Sequence, residues 1–135
     1  MMINDQEVLI DTNILLYSLD KNNEHYNYSR DIISDNFDNI FITSKNISEF
    51  IAVLTKQNID YDIILNYLKI INNFNVIYPD HNSINIFYEL IKKYKPKGNR
   101  IFDIEIVSIM LSNGIKNIIT VNKKDFEAIK EICIK

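Results

Sequence analysis

The sequence predicts an α/β protein, a three-layer α/β/α sandwich with a mainly parallel central sheet. Short apolar runs alternate along the chain with longer segments whose apolar residues recur at helical spacing. The first run, residues 8–10, is apolar at every position, as in a strand buried on both faces. No repeat, linker or low-complexity tail interrupts the 135 residues, so we expect one domain over residues 1–135.

The composition is that of a water-soluble globular protein, with 47% hydrophobic and 24% charged residues. No apolar run reaches the ~18 to 20 residues that a membrane span requires, and the acidic start at Asp5 and Glu7 is unlike a signal peptide. We therefore predict a cytoplasmic protein. The single cysteine, Cys133, fits that prediction because it cannot form an internal disulfide. Its isoleucine neighbours predict that it is buried.

The elements are predicted from apolar spacing and from residues that end helices. Strands are expected over residues 8–10, 39–43, 75–78, 117–121 and, at an edge, 132–134; helices over about 25–35, 44–57, 60–73, 83–94 and 101–111, with a last short one from 125. Ser44 and Asp60 are the expected helix caps. Tyr28 is expected to face inward. The helix at 101–111 is apolar on nearly every side and should be buried.

Four acidic residues stand where strands end or helices begin. Asp11 directly follows the first strand, and Glu49 lies one turn into the helix after the second strand. Asp103 interrupts the buried helix, and Asp125 follows the fourth strand. A buried carboxylate costs free energy unless a cation or a donor meets it. Because parallel strands end at one edge of the sheet, we expect these acids to converge there.

Converging carboxylates without histidine or cysteine suit a hard cation such as Mg²⁺. A site of this kind hydrolyses phosphodiesters. The residues before Asp103 strengthen this hypothesis, because residues 92–100 contain five basic side chains. A basic segment beside the acids would hold a polyphosphate backbone that the acids alone repel. The first 80 residues are net acidic and the rest net basic, which also hints at a nucleic-acid or acidic partner.

Each acid also has a purely structural alternative. These are a loop cap for Asp11, a solvated helix position for Glu49, an ion pair with Arg100 for Asp103, and an N-cap before Phe126 for Asp125. Glu105 is expected to point to a different face from Asp103 and is left out of the acid set.

Four ordered segments carry a resemblance to a known family. They are residues 10–17 (IDTNILLY), 43–49 (TSKNISE), 98–103 (GNRIFD) and 119–126 (ITVNKKDF). In this order and spacing, across nearly the whole chain, the sequence resembles the PIN-domain family, and within it the VapC-type toxins of bacterial and archaeal toxin–antitoxin pairs. It departs from the family pattern at Asn122, where an acid is frequent, and at Ile104, where a small residue is common.

The resemblance implies an α/β/α sandwich and an endoribonuclease that uses one or two Mg²⁺ or Mn²⁺ ions. It places the metal-binding acids at Asp11, Glu49 and Asp103. It also implies a homodimer and a small antitoxin protein that inserts a peptide into the active-site groove.

The resulting prediction is a metal-dependent endoribonuclease, the toxin of a type II toxin–antitoxin system. The three acids ligate the metal directly or through water, and the site is completed by Asp125 and Asn122. Further roles are assigned by position: Thr12, Asn13, Ser44 and Thr120 orient the ligands, and Lys95, Lys97 and Arg100 contact the RNA backbone.

Three other functions stay open at this point. The first is a PIN-like nuclease that acts in RNA processing or on DNA without an antitoxin. The second is a degenerate domain that binds RNA or protein without cutting it. The third, a phosphatase with Asp11 as nucleophile, is disfavoured because no second Asp follows two residues later.

Overall fold

The computed structural model describes residues 6–135. Within them, five parallel strands form one sheet in the order β3-β2-β1-β4-β5. The strands are β1 (Val8–Ile10), β2 (Ile40–Thr43), β3 (Asn75–Ile77), β4 (Asn117–Ile119) and β5 (Cys133–Ile134). The helices are α1 (Thr12–Tyr17), α2 (Tyr26–Asn36), α3 (Ser44–Lys56), α4 (Tyr61–Ile71), α5 (His81–Tyr94) and α6 (Arg100–Ser112), with 3-10 turns at Phe37–Asn39 and Lys123–Asp125.

The first strand is the centre of the sheet. β1 pairs with β2 on one side and β4 on the other, and Leu9 lies opposite both Phe41 and Ile118. All three β1 residues are buried. Since every pairing is parallel, the carboxyl ends of the strands lie at one edge, where Asp11 begins the connection to α1.

Alternate strand residues enter two separate cores, one on each face of the sheet. Val8 and Ile10 belong to the core that includes Phe50 of α3, whereas Leu9 belongs to the core that includes Val107 of α6. This alternation follows from the two-residue period of a strand. It confirms the predicted α/β/α sandwich.

The second core is dominated by α6, which packs closely against α5. Most of its side chains from Ile104 to Met110 are buried, as its continuous apolar sequence predicts. The described helices include none that combines the length and the apolar character needed to cross a bilayer.

Three helix starts differ in detail from the prediction. The cap of α3 is Thr43, not Ser44. Thr43 Oγ1 accepts a hydrogen bond from the Asn46 N–H, and Asn46 Oδ1 accepts one from the Thr43 N–H. Asp60 occupies the cap position of α4 but makes no capping hydrogen bond through its side chain. Asp125 does not open a helix, since it is the last residue of a 3-10 turn.

Two burial predictions are wrong. Cys133 is exposed, because it lies on the two-residue edge strand β5, where no further strand of the described chain covers it. Tyr28 of α2 is also exposed, with 43% of its surface accessible.

Candidate active site at the carboxyl ends of the strands

Asp11 is a buried carboxylate held by two donors. Its Oδ1 accepts from the Thr12 N–H at 2.8 Å, and its Oδ2 accepts from the Thr120 hydroxyl at 2.9 Å. The side chain is 8% exposed. Burial raises the pKa of Asp11, the two hydrogen bonds oppose that rise, and the negative charges of Glu49 and Asp125 add to it.

Thr120 connects the end of β4 to this carboxylate. The Asn122 N–H donates to Thr120 Oγ1 at 3.0 Å, so the same oxygen accepts one hydrogen bond and donates another. Asn122 therefore lies next to the acid, although its side chain is at the exposed surface. The turn fixes the direction of the hydroxyl toward Asp11.

A second buried connection joins the start of α1 to the start of α3. The Asn46 amide donates to Thr12 Oγ1 at 3.0 Å, and its Oδ1 accepts from the Thr43 hydroxyl at 2.7 Å. Thr12, Thr43 and Asn46 are each fully buried. The role of Asn46 was not predicted from the sequence. A signal was present, because Thr43 followed by an amide side chain three residues later has the spacing of a capping box.

Three further carboxylates act electrostatically on the same region. Glu49 is an exposed residue of α3, while Asp103 and Asp125 are half-buried. Burial, followed by the negative charges of Asp125, Asp11 and Glu49, raises the pKa of Asp103 to about 7. The four predicted acids therefore lie close enough for their negative charges to influence one another.

Arg100 pairs with Asp125 more directly than with Asp103. Its Nη2 lies 3.9 Å from Asp125 Oδ1, and its positive charge is only the smallest influence on the Asp103 pKa. Glu105 is turned to another partner, Lys45, with 3.4 Å between Oε1 and Nζ.

The remaining predicted residues lie around the acids with fewer contacts. Lys95 and Lys97 are exposed in the connection from α5 to α6. Asn13 and Ser44 are half-buried. Within residues 6–135, no hydrogen bond joins the side chain of either to an acid.

The four acids influence one another electrostatically but do not form a compact set of ligands. Among the described residues, no three acidic, histidine or cysteine side chains come close enough to hold a metal together. Two of the acids nevertheless have raised pKa values, and neighbouring acids contribute to both. Mg²⁺ suits such a donor set because it retains several waters and needs only one or two direct carboxylates.

A small cleft opens beside the outer acids. It has a volume of about 100 Å³ and is bounded by Arg100, Asp103 and Asp125 together with a largely apolar wall. The acids therefore border a concave surface rather than a flat one.

A larger groove lies between α1, α3 and α4. Its volume is about 540 Å³, and its lining includes Leu16, Tyr17, Val53 and Tyr67. Val53 follows Glu49 by four residues on α3, so one helical turn separates this groove from an acid of the site.

Solved structures with the same fold come from several bacteria. A toxin–antitoxin complex from Klebsiella pneumoniae is 21% identical, with a TM-score of 0.73 over 94% of this chain and 96% of that one. VapBC2 from Rickettsia felis, bound to a DNA fragment from its promoter, is 20% identical, with a TM-score of 0.73 over 95% and 96%. VapC20 from Mycobacterium tuberculosis, a toxin that cleaves the sarcin–ricin loop, is 10% identical, with a TM-score of 0.74 over 91% and 95%.

No curated protein matches the chain in sequence. The model of the PIN domain, in contrast, matches residues 8–132. That range contains β1, Asp11 and all the other acids of the site. The chain belongs to the PIN domain family.

Proposed function

We propose that this protein is a metal-dependent endoribonuclease and the toxin of a type II toxin–antitoxin pair. The observation that supports the proposal is the electrostatic influence of Asp11, Glu49, Asp103 and Asp125 on one another, since burial and neighbouring negative charges raise the pKa values of Asp11 and Asp103. Carboxylates that repel one another in this way are stabilised by a cation. Ordinary surface ion pairs would not require such a cation.

In this proposal Asp11, Glu49 and Asp103 are the metal ligands, directly or through water. Asp125 and Asn122 complete the outer side of the site. One or two bound Mg²⁺ or Mn²⁺ ions would neutralise charge on the scissile phosphate and promote ionisation of a water. The chain itself holds Asp11 in place through Thr120 and excludes solvent around it.

The basic residues near the acids support the proposal of RNA binding. Lys95 and Lys97 are exposed on the loop before α6, and Arg100 begins that helix. Cations at this position offset the repulsion between a phosphate backbone and the acids. We propose that they contact the RNA backbone and that the enzyme acts in the cytoplasm, as one domain and as a homodimer.

The groove between α1, α3 and α4 supports the proposal of an antitoxin partner. Its lining mixes apolar side chains such as Leu16 and Val53 with polar ones such as Asp20 and Gln57. A mixed, open groove one turn from Glu49 suits a peptide that covers the acids as it binds. Similar folds occur in toxin–antitoxin complexes from Klebsiella pneumoniae and Rickettsia felis.

The proposal is tested by cleavage of total RNA with the wild-type protein, with and without EDTA, beside the Asp11→Asn variant. Asp11→Asn preserves shape and removes one ligand charge. Loss of a residue that hydrogen-bonds to a metal ligand lowers activity roughly 10- to 100-fold. Because Asp11 is proposed as a ligand itself, we expect Asp11→Asn to lower the cleavage rate by more than this. EDTA should abolish cleavage by the wild type.

Asp62→Asn is the matched control, since Asp62 is an exposed acid of α4 outside the site. It should cleave at the wild-type rate. Cleavage by Asp11→Asn at that same rate in Mg²⁺ would refute the mechanism. RNA binding in EDTA without any metal-dependent cleavage would instead identify a non-catalytic binding domain.

A further inference from the structure

The cleft beside Asp103 and Asp125 is formed by two parts of the chain that are distant in sequence. One side comes from Tyr94, Pro96 and the start of α6, and the other from Ala128 and the residues around it. The volume of about 100 Å³ exceeds the ~10 to 15 Å³ that one water requires several-fold. The cleft is therefore large enough for a small planar group and too small for a folded peptide.

The two sides of the cleft are tied together by hydrogen bonds. The Tyr94 hydroxyl donates to Glu131 Oε1 and accepts from the Lys130 N–H at 3.0 Å. Lys93 Nζ donates to the other oxygen of Glu131 at 2.7 Å. Because these contacts join the end of α5 to the segment after the 3-10 turn, the cleft exists before any ligand binds, which lowers the entropic cost of binding.

These hydrogen bonds also determine what Tyr94 offers to a ligand. Its hydroxyl is occupied by Glu131 and Lys130, and Lys93 Nζ lies 5.2 Å from the ring centroid, so the rest of the ring is what Tyr94 can offer to a ligand in the cleft. Pro96, Ile104 and Ala128 add apolar surface. An aromatic ring with apolar neighbours is the type of surface on which single-stranded RNA bases stack.

Arg100 supplies the polar recognition at the mouth of the cleft. Arg100 is exposed, and its Nη2 lies 3.9 Å from Asp125 Oδ1. Among the described residues, Arg100 has no second ion-pair partner. An arginine fork matches the O6 and N7 acceptors of guanine, and in the major groove of DNA this is the commonest specific contact between a side chain and a base. The cleft thus combines apolar walls with a donor pair that suits guanine.

We propose that this cleft binds one unpaired guanine base of the RNA, adjacent to the bond that is cut. The inference rests on the proposed function and deepens it, because it makes Arg100 a reader of base identity as well as a backbone contact. Asp103 and Asp125 line the cleft and belong to the acid site, so a base held there places its own phosphate next to the acids.

The test compares single-stranded RNAs that differ only in the bases flanking the cut. The wild type should show a kcat/KM for guanine at least about fivefold above that for the other bases, the least that one good bidentate contact provides. Ala128→Trp fills the cleft from an exposed position, and Arg100→Lys keeps the charge but loses the planar fork. Both variants should reduce the preference to within about twofold.

A variant beside the cleft controls for the added bulk. Glu127→Trp adds the same bulk at the exposed neighbouring residue, which does not line the cleft, and should keep the guanine preference. If the wild type cuts without base preference, or if Ala128→Trp keeps the full preference, the inference is wrong.

A binding measurement separates this inference from the proposed function. Labelled short RNAs are titrated into the wild type and Ala128→Trp in EDTA, where no cleavage occurs. Guanine-dependent affinity that is lost in Ala128→Trp supports the cleft even if the protein does not cut RNA. The opposite outcome is metal-dependent cleavage that is lost in Asp11→Asn together with equal affinity for all four bases. It would refute guanine binding by the cleft and leave the proposed nuclease activity supported.

Discussion

The acid site has two halves that are held in different ways. The strand-end half consists of Asp11, Thr12, Thr43, Asn46 and Thr120, which are buried and joined by hydrogen bonds of 2.7 to 3.1 Å. The outer half consists of Glu49, Asp103, Asp125 and Arg100, which interact mainly through charge, and its ion pair of 3.9 Å is close to the limit of such contacts.

The difference follows from the elements that carry the residues. A strand end next to a helix start supplies free backbone N–H groups and fixed directions, so the strand-end half is rigid. The helix and turn positions of the outer half reach toward the site from the surface, where water competes for each contact. We therefore expect substitutions in the strand-end half to affect stability and those in the outer half to affect charge and specificity.

The largest effect on stability is expected from Asn46→Ala. This substitution leaves the hydroxyls of Thr12 and Thr43 buried without their amide partner and removes half of the α3 capping box. The free energy of unfolding should fall by about 3 kcal/mol, as measured by chemical denaturation. Ser48→Ala, at an exposed position of the same helix, should change it by less than about 0.5 kcal/mol.

Thr120→Val should weaken metal binding, because it removes the hydroxyl that orients Asp11 and opposes the rise of its pKa. We expect about a 10- to 100-fold loss of affinity for Mn²⁺ in isothermal titration calorimetry. Thr120→Ser keeps the donor and should bind almost normally. A Thr120→Val protein with wild-type affinity would show that Asp11 does not depend on this partner.

The pH dependence of stability tests the outer half. The pKa of Asp103 is about 7 in the folded chain, above its ordinary value, so the metal-free folded state binds a proton that the unfolded chain releases. The contribution of Asp103 to stability is therefore largest at low pH and is lost as pH rises from about 4 through about 7.

Asp103→Asn should consequently stabilise the metal-free protein at pH 8 by about 1 kcal/mol, after allowance for solvent screening of a half-buried group. Near pH 4 the substitution should change little, because the carboxyl group is then protonated in the folded state. Thermal unfolding at the two pH values, in EDTA, measures the difference. A stabilisation of the same size at both pH values would contradict the electrostatic explanation.

The smallest effect is expected from Arg100→Met. The pair with Asp125 is long, and both side chains are more than one-third exposed. The free energy of unfolding should change by no more than about 0.5 kcal/mol in denaturant titrations. A larger loss would mean that the outer half is held together by this ion pair.

The sequence was informative about the acids because they follow simple topological rules. Asp11 ends an apolar run, and Asp103 lies on a helix whose residues are mostly apolar, so both were visible without coordinates. Their electrostatic coupling in the structure agrees with the expectation that parallel strands end at one edge.

What the sequence did not reveal depends on contacts between distant segments. Asn46 resembles a polar residue at a helix start, and only its bond to Thr12, 34 residues earlier, shows that it connects two strand ends. Arg100 precedes Asp103 by three residues on one helix, yet it pairs with Asp125 because the turn after β4 folds over the start of α6. The spacing of neighbouring residues in the sequence does not predict contacts between distant segments.

The position of β1 between β2 and β4 has a consequence for the order in which the protein becomes complete during synthesis. Asp11 is made early, but the Ile119 carbonyl that accepts from its N–H and the Thr120 hydroxyl that donates to its side chain are made more than 100 residues later. Pairings of such long range form late in folding. A ribosome-bound chain that has not reached residue 120 therefore contains Asp11 without these two partners, and the strand-end half of the site is completed only when nearly the whole chain has been made.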